Sequence, residues 1–288
     1  MLLAPERHDA QHAALRDALD AVPRSRRGRK WREASVLTDL AFRKRPARTF
    51  RRLRRMRDQQ GEEFGGFWEE CRRVLTPYTL GPHGYKLALG SHDETAVWRE
   101  ADAVMSAMRE LGYPTFVNSG TLLGLVREGS AIADDDDVDL AVLLRSSSLR
   151  DVAGEWNALR IRLGDVGLLK PGFDIRSMTH CKVAVHGGVK VDLFPAWVSD
   201  DRVFVWPHTH GELPAAALLP LGQREVAGLS VAVPSDPEAM LEINYGPDWR
   251  VPDPTFRFAW RDARARFADF VTLLGTSETD HYTDGYRE

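Results

Sequence analysis

Apolar positions recur at helical spacing through the first 80 residues of the chain. Residues 10–22 predict a short amphipathic helix, and residues 36–56 predict a longer helical stretch that Pro46 interrupts. A third helix is predicted over 64–75, where Pro77 stops it. No stretch in this part shows the alternation of a strand, and the pattern therefore predicts a helical N-terminal region.

The pattern changes after a predicted loop at residues 81–84, where helices begin to alternate with short strands. This succession predicts an α/β fold, α+β in arrangement, with a short mixed sheet flanked by helices. We therefore divide the chain into a helical, arginine-rich region at 1–85 and a domain of alternating helices and strands at 86–288. The predicted helices cover 94–111, 121–127, 151–163, 236–244 and 258–274, the strands cover 115–118, 138–144, 203–206 and 229–233, and a hairpin spans 183–193 with its turn at 186–188.

Charge is distributed unevenly, although the net charge is only −3. Residues 24–57 carry 15 Lys and Arg against Glu33 and Asp39, whereas acids outnumber bases in the remainder. Such a block is typical of a solvated helix face, of a segment that contacts an anionic membrane surface, or of a segment that binds nucleic acid. We rank packing within the chain or solvation first, the membrane surface second and nucleic acid last, and we expect no sequence-specific nucleic-acid binding.

Composition narrows the class of protein further. No apolar run approaches the roughly 20 residues of a membrane helix, and the first residues lack the apolar core of a secretory signal. Cys71 and Cys181 make neither a metal-binding spacing nor a disulfide framework. We therefore expect a cytoplasmic protein, with peripheral contact at the inner face of the membrane as an option.

Candidate chemistry is concentrated in the run Asp134-Asp135-Asp136-Asp137-Val138-Asp139. Side chains alternate along a strand, so Asp137 and Asp139 are expected to project from one face while Val138 enters the core. Asp135 joins them if the strand begins that early. Carboxylates held together repel one another unless a cation neutralises them, and Mg²⁺ or Mn²⁺ prefers such oxygen ligands. The alternative is an acidic surface turn.

A third carboxylate lies in the predicted hairpin. Asp192 interrupts the apolar run Val191-Asp192-Leu193-Phe194, and aspartate is depleted in strands. A third carboxylate on a neighbouring strand is what a two-metal phosphoryl-transfer site needs. An edge-strand aspartate that faces solvent is the alternative.

A phosphate-binding element is predicted upstream of the aspartates. Ser119, Gly120 and Thr121 stand where a strand meets a helix, with Ser119 as the expected N-cap, and free N–H groups at a helix N-terminus bind anions. Arg127 on the same helix could hold a phosphate through two hydrogen bonds. Lys182, which precedes the hairpin turn, could reach a phosphate of the same ligand.

These motifs together resemble the LicD family. The resemblance rests on Gly-Thr-Leu-Leu-Gly-Leu-Val-Arg at 120–127, the aspartates at 135–139, Val-Asp-Leu-Phe-Pro at 191–195 and Asn-Tyr-Gly-Pro-Asp-Trp at 244–249. The family includes bacterial phosphocholine transferases and fukutin-related ribitol-phosphate transferases, and it belongs to the nucleotidyltransferase superfamily. The resemblance therefore implies a nucleotidyltransferase-like sheet.

The resemblance also implies a reaction. It points to a Mg-dependent enzyme that moves phosphocholine or a polyol phosphate from a CDP-activated donor to a hydroxyl of a glycan or lipid-linked glycan. Asp137, Asp139 and Asp192 would be the catalytic and metal-binding residues. Ser119, Gly120, Thr121, Arg127 and Lys182 would bind the donor. The alternative is transfer of the nucleotidyl group itself to a small-molecule, sugar or protein hydroxyl.

Two positions depart from the family pattern. Asp134 stands where an aromatic residue is usual, and Glu128 stands where a basic or aromatic residue is frequent. Both departures bear on the acceptor and on the transferred group and not on the metal pair, because an extra carboxylate and a lost base change the charge near the acceptor.

Other chemistry-bearing residues favour structural roles. We interpret His208 and His210 as parts of a solvated loop, since no third metal ligand is near in sequence. Tyr245, Trp249 and Trp260 favour the core over stacking on a base. We expect Cys71 to be an unreactive core residue. His180 could either bind a phosphate or pack in the core.

Overall fold

A computed structural model describes residues 5–170, 179–183 and 188–275. The described chain divides into two compact units. The first comprises the residues up to Leu87 together with Asp253–Arg257, and the second comprises Ala88–Pro252 and the residues from Phe258 onward.

The first unit consists of four helices and a two-stranded hairpin, packed around a core of its own. Phe50, Leu53 and Met56 contribute one helix face to this core, and Phe64 and Cys71 contribute another. The elements are α1 Pro5–Ala21, α2 Arg29–Ala41, α3 Pro46–Gln60, α4 Phe64–Leu75, β1 Tyr78–Gly81 and β2 Gly84–Leu87.

Sequence analysis predicted the break in this unit but not its hairpin. The helical stretch over 36–56 is interrupted before Pro46, as expected, because α2 ends at Ala41 and Pro46 begins α3, where its missing N–H costs nothing. The stretch predicted to be a loop at 81–84 is the turn of the β1–β2 hairpin, in which Gly81 pairs with Gly84. Gly84 has a φ of +99°, which is favourable only for glycine.

Several basic residues of the block at 24–57 form ion pairs, and several on α3 are exposed. Arg29 bonds to Glu33 and Glu63, Lys44 pairs with Asp9, and Arg57 pairs with Asp58 and Asp253. Arg48, Arg51 and Arg55 lie on α3 opposite its buried face and are exposed. Part of the block is therefore neutralised by acidic residues of its own unit.

The second unit is built on a mixed sheet covered by helices. Its core includes the fully buried Trp98, Trp156 and Phe116. The helices are α5 Glu94–Glu110, α6 Ser119–Arg127, α7 Leu149–Asp165, α8 Pro237–Tyr245, α9 Trp260–Arg266 and α10 Ala268–Leu273. The strands are β3 Thr115–Val117, β4 Asp137–Leu143, β5 Cys181–Val183, β6 Lys190–Ser199, β7 Arg202–Val205, β8 Thr209–Pro214, β9 Gly222–Val226 and β10 Leu229–Val233.

The main sheet has the strand order β3-β4-β6-β7-β8, and β9 pairs with β10 in a separate hairpin. β4 and β6 run parallel, and the other neighbours are antiparallel. β5 pairs with the first half of β6, whereas β7 pairs with its second half. The predicted fold class, a mixed sheet flanked by helices after a helical N-terminal region, is confirmed.

The hairpin predicted over 183–193 is present as β5 and β6. Residues 186 and 187 of its predicted turn at 186–188 lie outside the described residues. The single helix predicted over 258–274 is instead α9 and α10. Phe267 separates them, and its ring packs against Trp197 and Trp206 at centroid distances of 6.0 and 5.2 Å.

None of the helices within 5–170, 179–183 and 188–275 has the length and hydropathy needed to span a bilayer.

Candidate active site

Parallel pairing of β4 with β6 places two of the predicted carboxylates side by side. The register sets Asp139 opposite Asp192, and the antiparallel β5 sets Lys182 opposite Asp192 from the other side. Paired residues on neighbouring strands project from the same face of a sheet. Lys182 Nζ lies 2.9 Å from Asp192 Oδ2. The site is therefore centred on Asp192, with a carboxylate on one flank and an ammonium group on the other.

The N-terminus of α6 is attached to the same carboxylate pair through Asp139. The backbone N–H of Gly120 donates to Asp139 Oδ2 at 3.2 Å, and the N–H of Asp139 donates to Thr121 Oγ1 at 2.8 Å. The N–H of Asn118 donates to the carbonyl of Asp139 at 3.0 Å. Thr121, predicted to bind substrate, thus holds Asp139 in this structure.

The predicted N-cap was wrong by one residue. Asn118 is the N-cap of α6, no side chain caps this helix, and Ser119 is its first residue. Ser119 has a φ of +46°, an unfavourable left-handed conformation for a residue with a side chain. This turn, taken immediately after β3, directs the N–H of Gly120 toward Asp139.

Two glycines of the motif are required by close packing. A Cβ atom on Gly120 would lie 2.5 Å from Asp135 Oδ2 and 3.7 Å from Asp139 Oδ2. A Cβ atom on Gly124 would lie 2.6 Å from the carbonyl oxygen of Ser130 and 2.7 Å from the nitrogen of Ile132. α6 therefore packs directly against the segment that leads into the aspartates, and only glycine allows this approach.

Asp135, Asp136 and Asp137 form a compact cluster at the start of β4. One oxygen from each lies within 4.8 Å of the others. The carbonyl of Asp135 accepts from the N–H of Leu89 at 2.7 Å, which anchors the segment. Lys190 Nζ lies 2.5 Å from Asp136 Oδ2. The predicted site residue Asp135 therefore lies beside Asp137, and Asp136, which sequence analysis left out, lies with them.

Burial raises the pKa values of the carboxyl groups in this site. The pKa of Asp135 rises to about 6, mainly through burial, and its bond from the N–H of Asp136 opposes the rise. Burial first and neighbouring carboxylates second place the pKa values of Asp137 and Asp139 well above the ordinary value. The pKa of Asp192 is raised by burial and lowered by Lys182. A divalent cation would relieve the cost of this clustered negative charge.

Several buried polar atoms of the site have no hydrogen-bond partner among the described residues. They are Asp192 Oδ1, Ser119 Oγ and both polar atoms of the Asn118 side chain. Unsatisfied buried polar groups are rare because each one costs free energy. Together with the carboxylate oxygens, they fit a hard cation and a phosphate-bearing ligand. Asp135, Asp137, Asp139 and Asp192 are the residues that could hold the metal.

Arg127, predicted to clamp a phosphate, is bonded to its neighbour. Its Nε and Nη2 donate to Glu128 Oε1 at 3.1 and 2.6 Å. α6, which carries Arg127 and bonds to Asp139 at its N-terminus, packs against α8, which carries Tyr245. The pKa of Tyr245 is raised by burial first and by the charges of Asp139 and Asp135 next, whereas Arg127 lowers it.

His180 lies behind the carboxylates. Its Nε2 is 4.0 Å from Asp192 Oδ2, and its ring stacks on Phe194 at a centroid distance of 5.5 Å. Burial, and next the charge of Lys182, lower the pKa of His180 to about 3. The imidazole is therefore neutral near pH 7 and packs in the core.

The interpretation of His208 and His210 as a solvated loop was wrong. His208 is buried against Phe258 at a centroid distance of 4.3 Å, and burial lowers its pKa to about 3. Thr209, the first residue of β8, is fully buried and hydrogen-bonded to Asn244. The apolar residues that cover this segment come from α8 and from the chain before α9, which a local pattern does not predict. Cys71, in contrast, is buried as expected, and burial raises its pKa to about 12.

Sequence comparison assigns the central part of the chain. Residues 112–236 match the profile of the family described as LicD/FKTN/FKRP, nucleotidyltransferase domain. This stretch is a LicD family domain. It contains every predicted site residue, from Ser119 to Asp192, and the match supports a transferase of phosphate-linked or nucleotidyl groups. No curated protein sequence matches the chain.

Solved structures give a looser likeness. The chain is similar to a solution structure of the antibiotic-resistance factor ANT(2'')-Ia at 20% identity, with a TM-score of 0.32 over 64% of this chain and 91% of that one. A crystal structure of ANT(2")-Ia in complex with adenylyl-2"-tobramycin is 18% identical, with a TM-score of 0.30 over 63% of this chain and 94% of that one. Overlaps of this size carry no argument about the site.

Four residues that sequence analysis did not assign to the site contact it or the helix beside it: Asn118, Asp136, Lys190 and Tyr245. Asn118 and Asp136 adjoin assigned residues and Lys190 precedes Asp192 by two positions, so their places in the motifs were the available signal. Tyr245 is distant in sequence. Its signal was the resemblance of the segment around it to the family, which did not distinguish a core tyrosine from one beside the aspartates.

Proposed function

We propose that the second unit is a Mg²⁺- or Mn²⁺-dependent transferase that moves a phospho-linked group, phosphocholine or a polyol phosphate, from a CDP-activated donor to a hydroxyl of a glycan. One observation carries this proposal: Asp139 and Asp192 stand opposite each other on parallel strands, and the N-terminus of α6 bonds to the first of them. An anion-binding helix end and a pair of carboxylates thus share one site.

The residues divide into a metal-binding group and a donor-binding group. Asp137, Asp139 and Asp192, with Asp135, would hold the metal, which when bound would neutralise the charge on the donor phosphates. Ser119 and Gly120 would bind a donor phosphate through the hydroxyl and the backbone. Lys182 is paired with Asp192, and Arg127 is paired with Glu128. When the donor binds, each of these two cations would exchange its carboxylate for a phosphate oxygen.

In the proposed reaction the acceptor hydroxyl attacks the phosphorus that carries the transferred group. The new bond joins the acceptor oxygen to this phosphorus, the phosphoanhydride bond to CMP breaks, and CMP leaves with the bonding electrons. Asp192 Oδ1 has no partner among the described residues and would accept the hydroxyl proton. Burial raises the pKa of this carboxyl group, which makes it a better base than an exposed aspartate.

Transfer of the nucleotidyl group itself is the second candidate function. The same carboxylates would serve it, because they act on the phosphates and not on the leaving group. The domain description of the matched family, which names a nucleotidyltransferase, favours keeping this candidate.

Product analysis separates the two reactions. The protein would be incubated with CDP-choline, CDP-ribitol or CDP-glycerol, and separately with CTP, ATP or UTP, with and without Mg²⁺. Release of CMP from a CDP-linked donor supports phospho-group transfer, whereas release of pyrophosphate supports nucleotidyl transfer. Release of neither, together with no Mg²⁺-dependent thermal stabilisation by any of the nucleotides, would contradict both.

The proposal extends to the place of the reaction. A lipid-linked glycan acceptor would be met at the inner face of the cytoplasmic membrane, and the basic block from Arg24 to Arg57 would provide peripheral contact with anionic lipid. The exposed Arg48, Arg51 and Arg55 on α3 support this part of the proposal. The apolar face of α3 is already buried in its own unit, so the contact would be electrostatic and sensitive to salt.

A further inference from the structure

Two lysines neutralise the carboxylates of the site from different positions. Lys182 is bonded to Asp192, and Lys190 is bonded to Asp136 at 2.5 Å. Lys190 is the first residue of β6, and its register partner on β4 is Asp137. Its backbone position is therefore beside one aspartate of the cluster, while its ammonium group is bonded to the neighbouring one.

Asp136 differs from the other carboxylates of the cluster. It precedes β4, so the alternation that groups Asp137 with Asp139 does not apply to it. One of its oxygens nevertheless lies within 4.8 Å of oxygens of Asp135 and Asp137. Without a counter-ion, Asp136 would be a competing ligand for any cation bound to its two neighbours.

We propose that Lys190 is a positioning residue that holds Asp136 outside the coordination sphere of the cation and leaves Asp135 and Asp137 to bind it. This inference rests on the proposed function, because it assumes that a divalent cation binds among these carboxylates. It adds a role that neither the metal-binding group nor the donor-binding group contains: a fixed cation that limits the number of carboxylates facing the metal.

Two measurable consequences follow from the charges. Removal of the ammonium group leaves three adjacent carboxylates without their cation, and their repulsion destabilises the metal-free protein. The same loss makes the site more negative and frees Asp136 as a ligand, which strengthens the binding of a divalent cation. A lysine that instead bound only the donor would change nucleotide affinity and leave cation affinity nearly constant.

The test compares Lys190→Gln, Asp136→Asn, the double variant and the charge-conserving Lys190→Arg. Lys170→Gln, which removes an exposed lysine of the same unit, is the matched control. Mn²⁺ binding is measured by titration calorimetry on the full chain without nucleotide, and unfolding temperature is measured in EDTA.

We expect Lys190→Gln to bind Mn²⁺ about tenfold more tightly and to unfold at a lower temperature in EDTA. The double variant should return both values close to wild type, because the carboxylate that needed the lysine is gone. Lys190→Arg and Lys170→Gln should resemble wild type.

Unchanged Mn²⁺ affinity in Lys190→Gln would overturn the inference and leave the proposed function intact. A double variant that behaves like Lys190→Gln would also overturn it, because Asp136 would then not be the group that Lys190 controls. Absence of Mn²⁺ binding by the wild type would overturn the proposed function together with the inference.

Discussion

The two units carry charge of opposite sign in very different surroundings. In the first unit, arginines such as Arg48 and Arg55 lie on the exposed side of α3. In the second unit, Asp137, Asp139 and Asp192 are grouped on adjacent strands, and burial raises the pKa value of each. The basic block from Arg24 to Arg57 contains more charges than the carboxylate cluster, but the greater electrostatic cost is in the cluster.

The surroundings of the charged side chains, more than their number, therefore mark a candidate site. Water solvates an exposed guanidinium group, and α3 obtains its stability from the burial of Phe50, Leu53 and Met56 on its other face. A clustered, buried carboxylate has no such compensation and persists in a fold when something else requires it. If surroundings mark the site, substitutions among the carboxylates should change turnover most and substitutions on the exposed side of α3 least.

The largest effect is expected from the carboxylates. Asp137→Asn, Asp139→Asn and Asp192→Asn should each lower turnover by about a thousandfold, because each removes a charge that the proposed metal needs. The unfolding temperature of Asp137→Asn and Asp139→Asn without metal should stay constant or rise, since repulsion decreases. Steady-state kinetics and thermal denaturation check both statements.

Asp165→Asn is the matched control, because Asp165 ends α7 on the surface of the same unit. Near-wild-type turnover in both Asp137→Asn and Asp139→Asn would remove the metal assignment. An Asp192→Asn variant that merely unfolds, without specific loss of metal-dependent ligand binding, would make Asp192 a structural residue.

A smaller effect on turnover is expected at Gly120. Gly120→Ala should lower turnover by about tenfold to a hundredfold, because its Cβ atom would lie 2.5 Å from Asp135 Oδ2 and displace the carboxylate. The control is Gly154→Ala in α7, where the new Cβ atom meets nothing within 4 Å. This control should be stabilised by about 0.5–1 kcal/mol with turnover unchanged. Equal turnover in the two variants would show that close packing at Gly120 does not matter for the site.

Stability should depend on pH in opposite ways at the carboxylates of the site and at the buried histidines. The folded-state pKa of Asp135 is about 6, above its ordinary value of 3.8, so its contribution to stability is complete below the ordinary value and is lost as pH rises through 6. The buried His180 and His208 have lowered pKa values and act oppositely: their contribution is present above the ordinary histidine pKa and is lost as pH falls.

The informative quantity is therefore the shift in unfolding temperature that Mg²⁺ produces at each pH, because the histidine contributions cancel in it. The shift should be small near pH 5, where the carboxyl groups are protonated, and should grow toward pH 8, where Mg²⁺ at about 100 times its dissociation constant adds about 2.7 kcal/mol. An equal shift in unfolding temperature at both pH values would show that Mg²⁺ does not bind to this cluster.

The smallest effect on the folded protein is expected in the first unit. Arg48→Gln combined with Arg55→Gln should change the free energy of unfolding by less than about 0.5 kcal/mol, because both side chains are exposed. Turnover of a soluble substrate should not change. Co-sedimentation with anionic vesicles should decrease, and added salt should weaken it in the wild type.

Arg29→Gln is the comparison variant, because Arg29 is already bonded to Glu33 and Glu63. Wild-type protein that fails to sediment with anionic vesicles at low salt would eliminate the membrane contact. Sedimentation that persists in the double variant would place the contact elsewhere.

Local pattern was sufficient for the features that depend on neighbours in the chain. The helical spacing over 94–111 and 151–163 predicted α5 and α7, and the alternation around Val138 predicted β4, because a helix or strand needs one continuous apolar face. The candidate carboxylates were also predictable from the sequence, because an aspartate within an apolar strand is unusual whatever the order of the strands in the sheet. The break at Phe267 was not predictable, because the partners of its ring lie about 60 to 70 residues earlier in the chain.

The residue types available for chemistry are visible in the amino-acid sequence: the run of aspartates, the lone Asp192 and the strand-to-helix turn at Ser119. How these residues combine depends on the tertiary fold. Only the parallel register of β4 and β6 sets Asp139 opposite Asp192, and only folding brings Lys190 to Asp136 and buries His208 under Phe258. The physical reason is that pairing and burial depend on residues far apart in the chain, and on the cost of enclosing charge, neither of which a local period records.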